Sequence, residues 1–219
     1  MESLKKKIER AGAVFAILDA LYTRNKTALN YHSPFQLLIA TILSAQCTDR
    51  QVNMVTERLF EKYKRPLDFI RAPRAELEES IRSTGFYRNK AKSLVGCCQV
   101  LLDSYDGKVP ESMEEMLKLP GVGRKTANCV LGAVYGVPGI VVDTHVKRVS
   151  LHLGFTGSKD PVRIEKDLEK LFPDYRWRRF SDILIYHGRE ICNARRPRHQ
   201  TCPVKELCPS GMLKKAEKI

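Results

Sequence analysis

The pattern of apolar and polar positions along the chain is mainly helical. In the first two dozen residues, apolar side chains recur so that they fall broadly on one face of a helix. They are Leu4, Ile8, Phe15, Leu18 and Tyr22. The segment Ser33-Pro34-Phe35-Gln36 then combines an N-cap serine, a proline in the first turn and a glutamine at the capping-box position. A nearly all-apolar run follows, so this second helix is predicted to be buried.

Further segments have helical periodicity, and little of the chain resembles a strand. The predicted helices run from Asp49 to Tyr63, Lys90 to Tyr105, Ser112 to Leu119, Thr126 to Tyr135, Thr144 to Leu153, Pro161 to Phe172 and Arg176 to Ile191. Only Gly139 to Val142 has a strand-like composition, and four residues between Pro138 and Asp143 could equally form a buried extended linker. The predicted fold class is all-α.

The charge balance favours an anionic partner. The chain has 219 residues with 43% hydrophobic content, enough for one large domain or two small ones. Lys and Arg total 38 against 25 for Asp and Glu, which gives a net charge of +13. Such an excess favours nucleic acid or an anionic membrane. Membrane is the weaker choice, because the longest apolar runs, such as Phe35 to Leu43, fall short of a spanning helix.

The N-terminus and the cysteine count bear on location. The first ten residues, MESLKKKIER, lead into an amphipathic stretch without an apolar signal core. Seven cysteines are an odd number, and without a secretory signal they are expected to be thiols or metal ligands. An intracellular protein is therefore expected, cytoplasmic and associated with the nucleoid if the source is prokaryotic.

The segment from Leu119 to Ala127 is the most specific short motif, Leu-Pro-Gly-Val-Gly-Arg-Lys-Thr-Ala. Two glycines between predicted helices let backbone amides approach an anion, and the following helix adds the positive end of its dipole. A dinucleotide-binding loop does not fit, because a helix and not a strand is predicted ahead of the glycines. A phosphate-binding hairpin and an ordinary tight turn are both compatible with this segment alone.

Several separated motifs in one order are far more specific than any one of them. They are the hairpin, Val142-Asp143-Thr144-His145-Val146, Ser44-Ala45-Gln46-Cys47-Thr48-Asp49, Gly85-Phe86-Tyr87-Arg88-Asn89-Lys90 and the C-terminal cysteines. Together they resemble the endonuclease III family over nearly the whole chain. The resemblance implies a helix-hairpin-helix DNA glycosylase fold with a six-helix barrel lobe, residues 27–137. It also implies an iron–sulfur cluster lobe, formed by residues 1–26 and 138–219.

The same resemblance implies a bifunctional DNA glycosylase and AP lyase of base excision repair. Such an enzyme removes oxidised pyrimidines, thymine glycol for example, and cleaves the abasic site by β-elimination. Its partner would be double-stranded DNA that contains a damaged base or an abasic site, and a monomer is expected. The alternatives are a monofunctional mismatch glycosylase, a non-catalytic DNA-binding protein and an iron–sulfur redox sensor. Lys125 disfavours the first, since mismatch-specific relatives usually carry another residue there.

By resemblance, Lys125 is the catalytic nucleophile and Asp143 the essential carboxylate, facing each other at the mouth of a DNA-binding cleft. A neutral amine can attack the sugar C1′, displace the base and leave a Schiff base. Burial and neighbouring positive charge, from Arg124 or a helix N-terminus, would favour the neutral amine. The alternatives are a phosphate contact for Lys125 and a helix N-cap for Asp143.

The remaining DNA contacts also come from the resemblance. A base in a duplex must be extruded before C1′ can be attacked. Gln46 would fill the vacated stack, Phe86 would wedge against the opposite strand, and His145 would face the flipped base. Without the motif, each would be read as an ordinary structural residue. The expected phosphate contacts are Gly121, Val122, Gly123, Arg124, Thr126, Arg195, Arg196 and Arg198.

The last motif is a metal-ligand frame with one altered position. The family closes with cysteines spaced C-x6-C-x2-C-x5-C around a [4Fe–4S] cluster, and here that frame reads Cys192, His199, Cys202 and Cys208. A cluster held by three cysteines and a histidine is the first choice. Zinc, a three-iron cluster and no metal are the open alternatives. Cysteines 47, 97, 98 and 129 lie outside the frame and are predicted to pack as small apolar residues.

Overall fold

The computed structural model describes residues 2–23 and 29–216, and all regular secondary structure within them is helical. The prediction of an all-α fold is therefore confirmed. Residues 139–142 form no regular secondary structure and pair with no other strand, which agrees with the linker alternative. None of the helices in this described part is long and apolar enough to cross a membrane.

The helices alternate with short turns and 3₁₀ segments along the chain. They are α1 (Leu4–Leu21), α2 (Pro34–Leu43), α3 (Asp49–Lys62), α4 (Pro66–Arg71), α5 (Arg74–Ser80), α6 (Tyr87–Tyr105), α7 (Met113–Met116), α8 (Arg124–Val130), α9 (Thr144–His152), α10 (Pro161–Glu169), α11 (Trp177–Glu190) and α12 (Pro209–Ala216). A π-helical turn, Leu131–Tyr135, directly continues α8. By their contacts the described residues divide into a first compact unit, residues 29–137, and a second one, residues 2–23 and 138–216.

In the first unit, α2 is the central helix. The Ser33 hydroxyl accepts a hydrogen bond from the Gln36 amide at 3.2 Å, and the Gln36 side chain accepts one from the His32 amide at 2.7 Å. These bonds satisfy backbone amides that have no acceptor within the helix at its N-terminus. Residues 35 to 43 are all buried except Gln36. The predicted start and burial of this helix are confirmed.

The sequence patterns missed α4 and α5, which complete the wall of this core. Phe69 on α4 is fully buried and packs against Phe35 and Tyr63, with ring centroids 5.7 Å and 5.2 Å apart. Leu77 on α5 is also fully buried. Each helix spans fewer than two full turns, so it offers no apolar repeat from which periodicity could be read.

The second unit has a separate core built by α1 and the helices after residue 138. The predicted amphipathic helix at the N-terminus is confirmed, and Ala11, Val14 and Leu18 are fully buried. Aromatic rings form the centre of this core: Phe172 and Phe180 lie 4.2 Å apart between centroids. This packing holds α9 and α11, the two helices that carry most of the candidate site in this unit.

Candidate functional site

The turn between α7 and α8 is a tight hairpin that requires glycine. Gly121 has φ +81°, and a Cβ atom there would lie 2.7 Å from Cβ of Ser93. Both the backbone and the close approach to α6 therefore exclude a side chain at this position. The Val122 amide closes the turn on Leu119 O at 3.1 Å, and the Val122 side chain is buried. Gly123 caps α8 and is exposed.

Lys125 lies in the first turn of α8, directly after this hairpin. Its side chain is exposed, whereas Arg124 and Thr126 are half-buried. The burial expected around this amine is therefore not found in the protein without DNA. The helix start places Lys125 on the surface, because the buried face of α8 is formed by Ala127, Asn128 and Val130.

Asp143 is the N-cap of α9. Its Oδ1 atom accepts hydrogen bonds from the amides of His145 and Val146, both at 2.8 Å. Within the part of the chain that the structure describes, Oδ2 accepts no hydrogen bond. The linker ahead of Asp143 is fixed by Val141, whose amide donates to the buried Ser181 hydroxyl at 2.9 Å. One carboxylate oxygen therefore caps the helix while the other stays available for chemistry.

His145 is half-buried between α9 and α11. Arg148 Nη2 lies 3.2 Å from its Nδ1 atom, and a Cβ atom at Gly188 would come within 2.9 Å of its own Cβ. Arg148 also donates to Gly188 O at 2.8 Å and to Cys192 O at 3.0 Å. The histidine ring is therefore held from one side by this arginine and by the close approach of α11.

Gln46 and Phe86 occupy exposed loops of the first unit. Phe86 is 62% exposed although it is aromatic, so it is not a core residue. Both residues have a positive φ, 53° for Gln46 and 50° for Phe86. A non-glycine residue in this region is uncommon.

The arginines of the C-terminal segment project from a closed loop. The Arg198 amide donates to Ile191 O at 2.9 Å, and the Arg196 amide donates to the Asn193 side chain at 2.8 Å. Arg195, Arg196 and Arg198 are all exposed. Hydrogen bonds therefore fix the backbone of this loop, and the three positively charged side chains are exposed on it.

Next to this loop the second unit has a cavity whose lining includes Cys192, His199, Cys202 and Cys208. The Nε2 atom of His199 is buried and has no hydrogen-bond partner in the described part of the chain. A buried polar nitrogen without a partner is costly, and a metal is one of the few groups that would satisfy it. As positioned, no set of three or more His, Cys, Asp or Glu side chains among the described residues is close enough to hold a single metal ion. Three thiols and an imidazole around a cavity fit a larger inorganic group.

Burial keeps two thiols of this cavity, Cys192 and Cys202, protonated when no metal is bound. Burial raises the pKa of the Cys192 thiol to about 11 and raises the pKa of the Cys202 thiol above its usual value. A metal centre overcomes this effect, because a coordinating thiol loses its proton outright. Cys208 is buried and its Sγ donates to His152 O at 3.3 Å.

A second histidine of this cavity, His187, was missed from the sequence. Its Nε2 lies 3.7 Å from Cys202 Sγ, and its Nδ1 lies 3.4 Å from the Tyr22 hydroxyl. Burial lowers the pKa of His187 to about 4, so its imidazole is neutral near pH 7. It lies on α11, five residues before Cys192 and outside the C-terminal ligand frame, so no signal in the sequence pointed to it.

The candidate residues thus fall into separate groups. Within the first unit the structure gathers the hairpin with Lys125, and it places Gln46 and Phe86 on neighbouring loops. Within the second unit it gathers Asp143, His145 and the ligand cavity around α9 and α11.

Comparisons with known proteins identify the family of the chain. Residues 39–174 match the family described as HhH-GPD superfamily base excision DNA repair protein. An endonuclease III from Synechocystis is 50% identical over 212 residues, which cover 96% of this chain and 97% of that protein. An endonuclease III from Bacillus subtilis is 46% identical and covers 87% and 88%. A solved structure, a trapped endonuclease III–DNA covalent intermediate, matches with TM-score 0.91 and 44% identity over 98% of this chain and 100% of that one.

The chain belongs to the HhH-GPD superfamily of base excision DNA repair proteins, within its endonuclease III family. The predicted activity, a DNA glycosylase that is also an AP lyase, is confirmed at the level of this family, as is the prediction of DNA as partner.

Proposed function

We propose that this chain removes oxidised pyrimidines from double-stranded DNA, with Lys125 as the nucleophile and Asp143 as the catalytic carboxylate. The observation that carries the proposal is the exposed amine of Lys125 in the first helical turn after a glycine hairpin. The relative solved as a covalent intermediate with DNA supports it, because a lysine nucleophile would form such an adduct. We place the enzyme at the nucleoid, where its substrate lies.

The reaction uses one amine and one carboxylate. The neutral Lys125 amine bonds to C1′ of the sugar, the glycosidic bond breaks, and the base leaves with the electron pair and takes up a proton. Ring opening gives a Schiff base between Nζ and C1′. Loss of a proton from C2′ then expels the 3′ phosphate, which breaks the strand. The free oxygen of Asp143 would accept a proton from the amine and stabilise the positive charge that develops on the sugar.

A panel of duplexes tests the choice of substrate. Each duplex carries one lesion, either an oxidised pyrimidine such as thymine glycol, an oxidised purine or a mismatched base, and borohydride trapping measures the covalent adduct. Adduct formed fastest with the oxidised pyrimidine supports the proposal. Preference for a mismatched base without strand cleavage would contradict it and favour a monofunctional enzyme.

The hairpin and the C-terminal arginines would hold the phosphates. Backbone amides around Gly121 to Thr126 supply donors at the first turn of α8, and phosphate contacts fix the register of a protein on DNA. His145 would contact the flipped base beside Asp143. Gln46 would occupy the space that the base leaves, and Phe86 would wedge against the opposite strand.

Removing single arginines should flatten the salt dependence of binding. Arg195→Ala, Arg196→Ala and Arg198→Ala should each lower the slope of log K against log salt by about 1, because one phosphate contact releases roughly one counterion. Binding to an abasic duplex is measured by anisotropy over a salt series. Lys159→Ala, which removes an exposed charge elsewhere in the same unit, is the control and should keep the parent slope. Three arginine variants with the parent slope would remove this loop from the interface.

The ligand cavity is proposed to hold a [4Fe–4S] cluster through Cys192, His199, Cys202 and Cys208. The unpartnered Nε2 of His199 and the separation of the thiols support a cluster over a single zinc ion. When bound, the cluster supplies structural order to the arginine loop. The catalytic steps are carried by Lys125 and Asp143 alone.

Purified protein should contain iron in cluster stoichiometry and little zinc. Because imidazole is neutral and thiolate is anionic, the potential of the parent cluster should be more positive than that of His199→Cys, which restores the all-cysteine frame. Metal analysis and protein-film voltammetry on anaerobically prepared protein measure both. Stoichiometric zinc would reject the cluster. If the iron content and the reduction potential are unchanged in His199→Ala, the cluster is supported but His199 is rejected as one of its ligands.

A further inference from the structure

Lys90 is a buried lysine for which the proposed chemistry has no use. It lies on α6, is only 6% exposed, and its ammonium donates to Leu43 O and to Thr84 O, both at 2.8 Å. Lysine is almost never fully buried unless it is paired. Burial lowers the pKa of this ammonium, so its charged form is costly and the two carbonyls offset that cost.

The two carbonyls belong to the ends of two exposed loops. Leu43 is the last residue of α2 and leads into the plug loop, residues 44–48, which contains Gln46. Thr84 ends a 3₁₀ turn and leads into the wedge loop, residues 84–87, which contains Phe86. A surface bond joins the same two regions, since Gln51 Nε2 donates to Ser83 Oγ at 2.8 Å. The segments that flank the two loops are thus joined once in the interior and once at the surface.

Backbone strain marks the same loops. Among the described residues, the non-glycine positions with positive φ are Gln46, Phe86 and Asp106. Asp106 is the C-cap of α6, where a left-handed residue is common. Gln46 and Phe86 have no such explanation. Strained conformations persist only where the surroundings fix them, and they cluster at functional sites.

We infer that Lys90 is a positioning residue for base extrusion, which fixes the plug loop relative to the wedge loop so that Gln46 and Phe86 enter the duplex together. The inference rests on the proposed insertion of these two side chains. Lys90 touches no reacting atom and acts through the two carbonyls. Loops that are ordered before binding spare the complex the cost of ordering them.

The test compares base extrusion with β-elimination in the same variants. A duplex with thymine glycol beside 2-aminopurine reports extrusion by stopped-flow fluorescence, because 2-aminopurine brightens when it unstacks. Single-stranded DNA with a preformed abasic site reports β-elimination, which needs no extrusion. Lys90→Met should slow extrusion by roughly tenfold to hundredfold and leave β-elimination near the parent rate. Lys92→Met removes an exposed lysine from the same helix and is the control.

Further variants separate the possible failures. If Lys90→Met does not fold, as judged by circular dichroism, Lys90→Gln decides, because its shorter, neutral amide cannot donate to both carbonyls, and it should also slow extrusion selectively. Parent extrusion rates in whichever of these Lys90 variants folds would overturn the inference. Equal loss of both activities in Lys90→Met would do so as well, since a merely structural role predicts it. If Gln46→Ala and Phe86→Ala extrude the base at the parent rate, the proposed insertion of these side chains is rejected. The inference about Lys90 then fails as well.

Discussion

Lys125→Gln is expected to lose both covalent trapping and strand cleavage completely while it keeps most of its affinity for DNA. Glutamine has no basic amine, so it forms neither the bond to C1′ nor the Schiff base. The hairpin backbone is unchanged because the residue is exposed and in a helical turn that tolerates glutamine. Borohydride trapping measures the covalent adduct, gel-resolved cleavage of an abasic duplex measures strand cleavage, and anisotropy measures the affinity for DNA.

The control for this substitution is Lys118→Gln. Lys118 is an exposed lysine on the other side of the hairpin, just after α7. The Lys118→Gln variant loses the same charge close to the phosphates that the hairpin would hold. It should therefore bind DNA slightly more weakly and still form the covalent adduct. Undiminished trapping in Lys125→Gln would remove Lys125 from the mechanism, and comparable losses in both variants would reduce its role to a phosphate contact.

The elements that could be predicted from the sequence carry strong local signals. The serine, proline and glutamine at the start of α2 are read directly from capping chemistry, and the long apolar repeat of α1 from periodicity. The hairpin follows from Gly121, whose positive φ and contact with Ser93 leave no room for another residue. In these segments local propensity and tertiary packing require the same conformation.

Other features depend on contacts that are distant in sequence. The short helices α4, α5 and α12 depend on tertiary packing and are too short to show an apolar repeat. The sequence pattern therefore did not predict them. Lys90 looks like a surface lysine in a polar helix, because its two carbonyl acceptors come from segments 47 and 6 residues away. His187 likewise could not be assigned to the metal-ligand cavity from the sequence, because only the folded structure shows that it lies next to Cys202. The exposure of Lys125 could not be read from the sequence for the same reason, since burial is a property of the folded surface.

The strongest test of Asp143 separates its two roles in one set of variants. Asp143→Asn and Asp143→Ser keep a side chain that can cap α9, because Asn and Ser are N-caps as good as Asp. Asp143→Ala removes the cap and should lower the free energy of unfolding by about 1 kcal/mol. All three lack the carboxylate, so glycosylase turnover should fall in each by roughly 10²- to 10⁴-fold, the usual contribution of a proton-transfer group.

Stability and turnover are therefore expected to vary independently across the series. Denaturant unfolding should place Asn and Ser near the parent and Ala below it, whereas single-turnover kinetics should group all three far below the parent. Affinity for an abasic duplex should change little, because no phosphate contact is lost. If turnover instead follows stability, so that Asn and Ser stay active and only Ala is impaired, Asp143 acts as a cap and the catalytic carboxylate lies elsewhere.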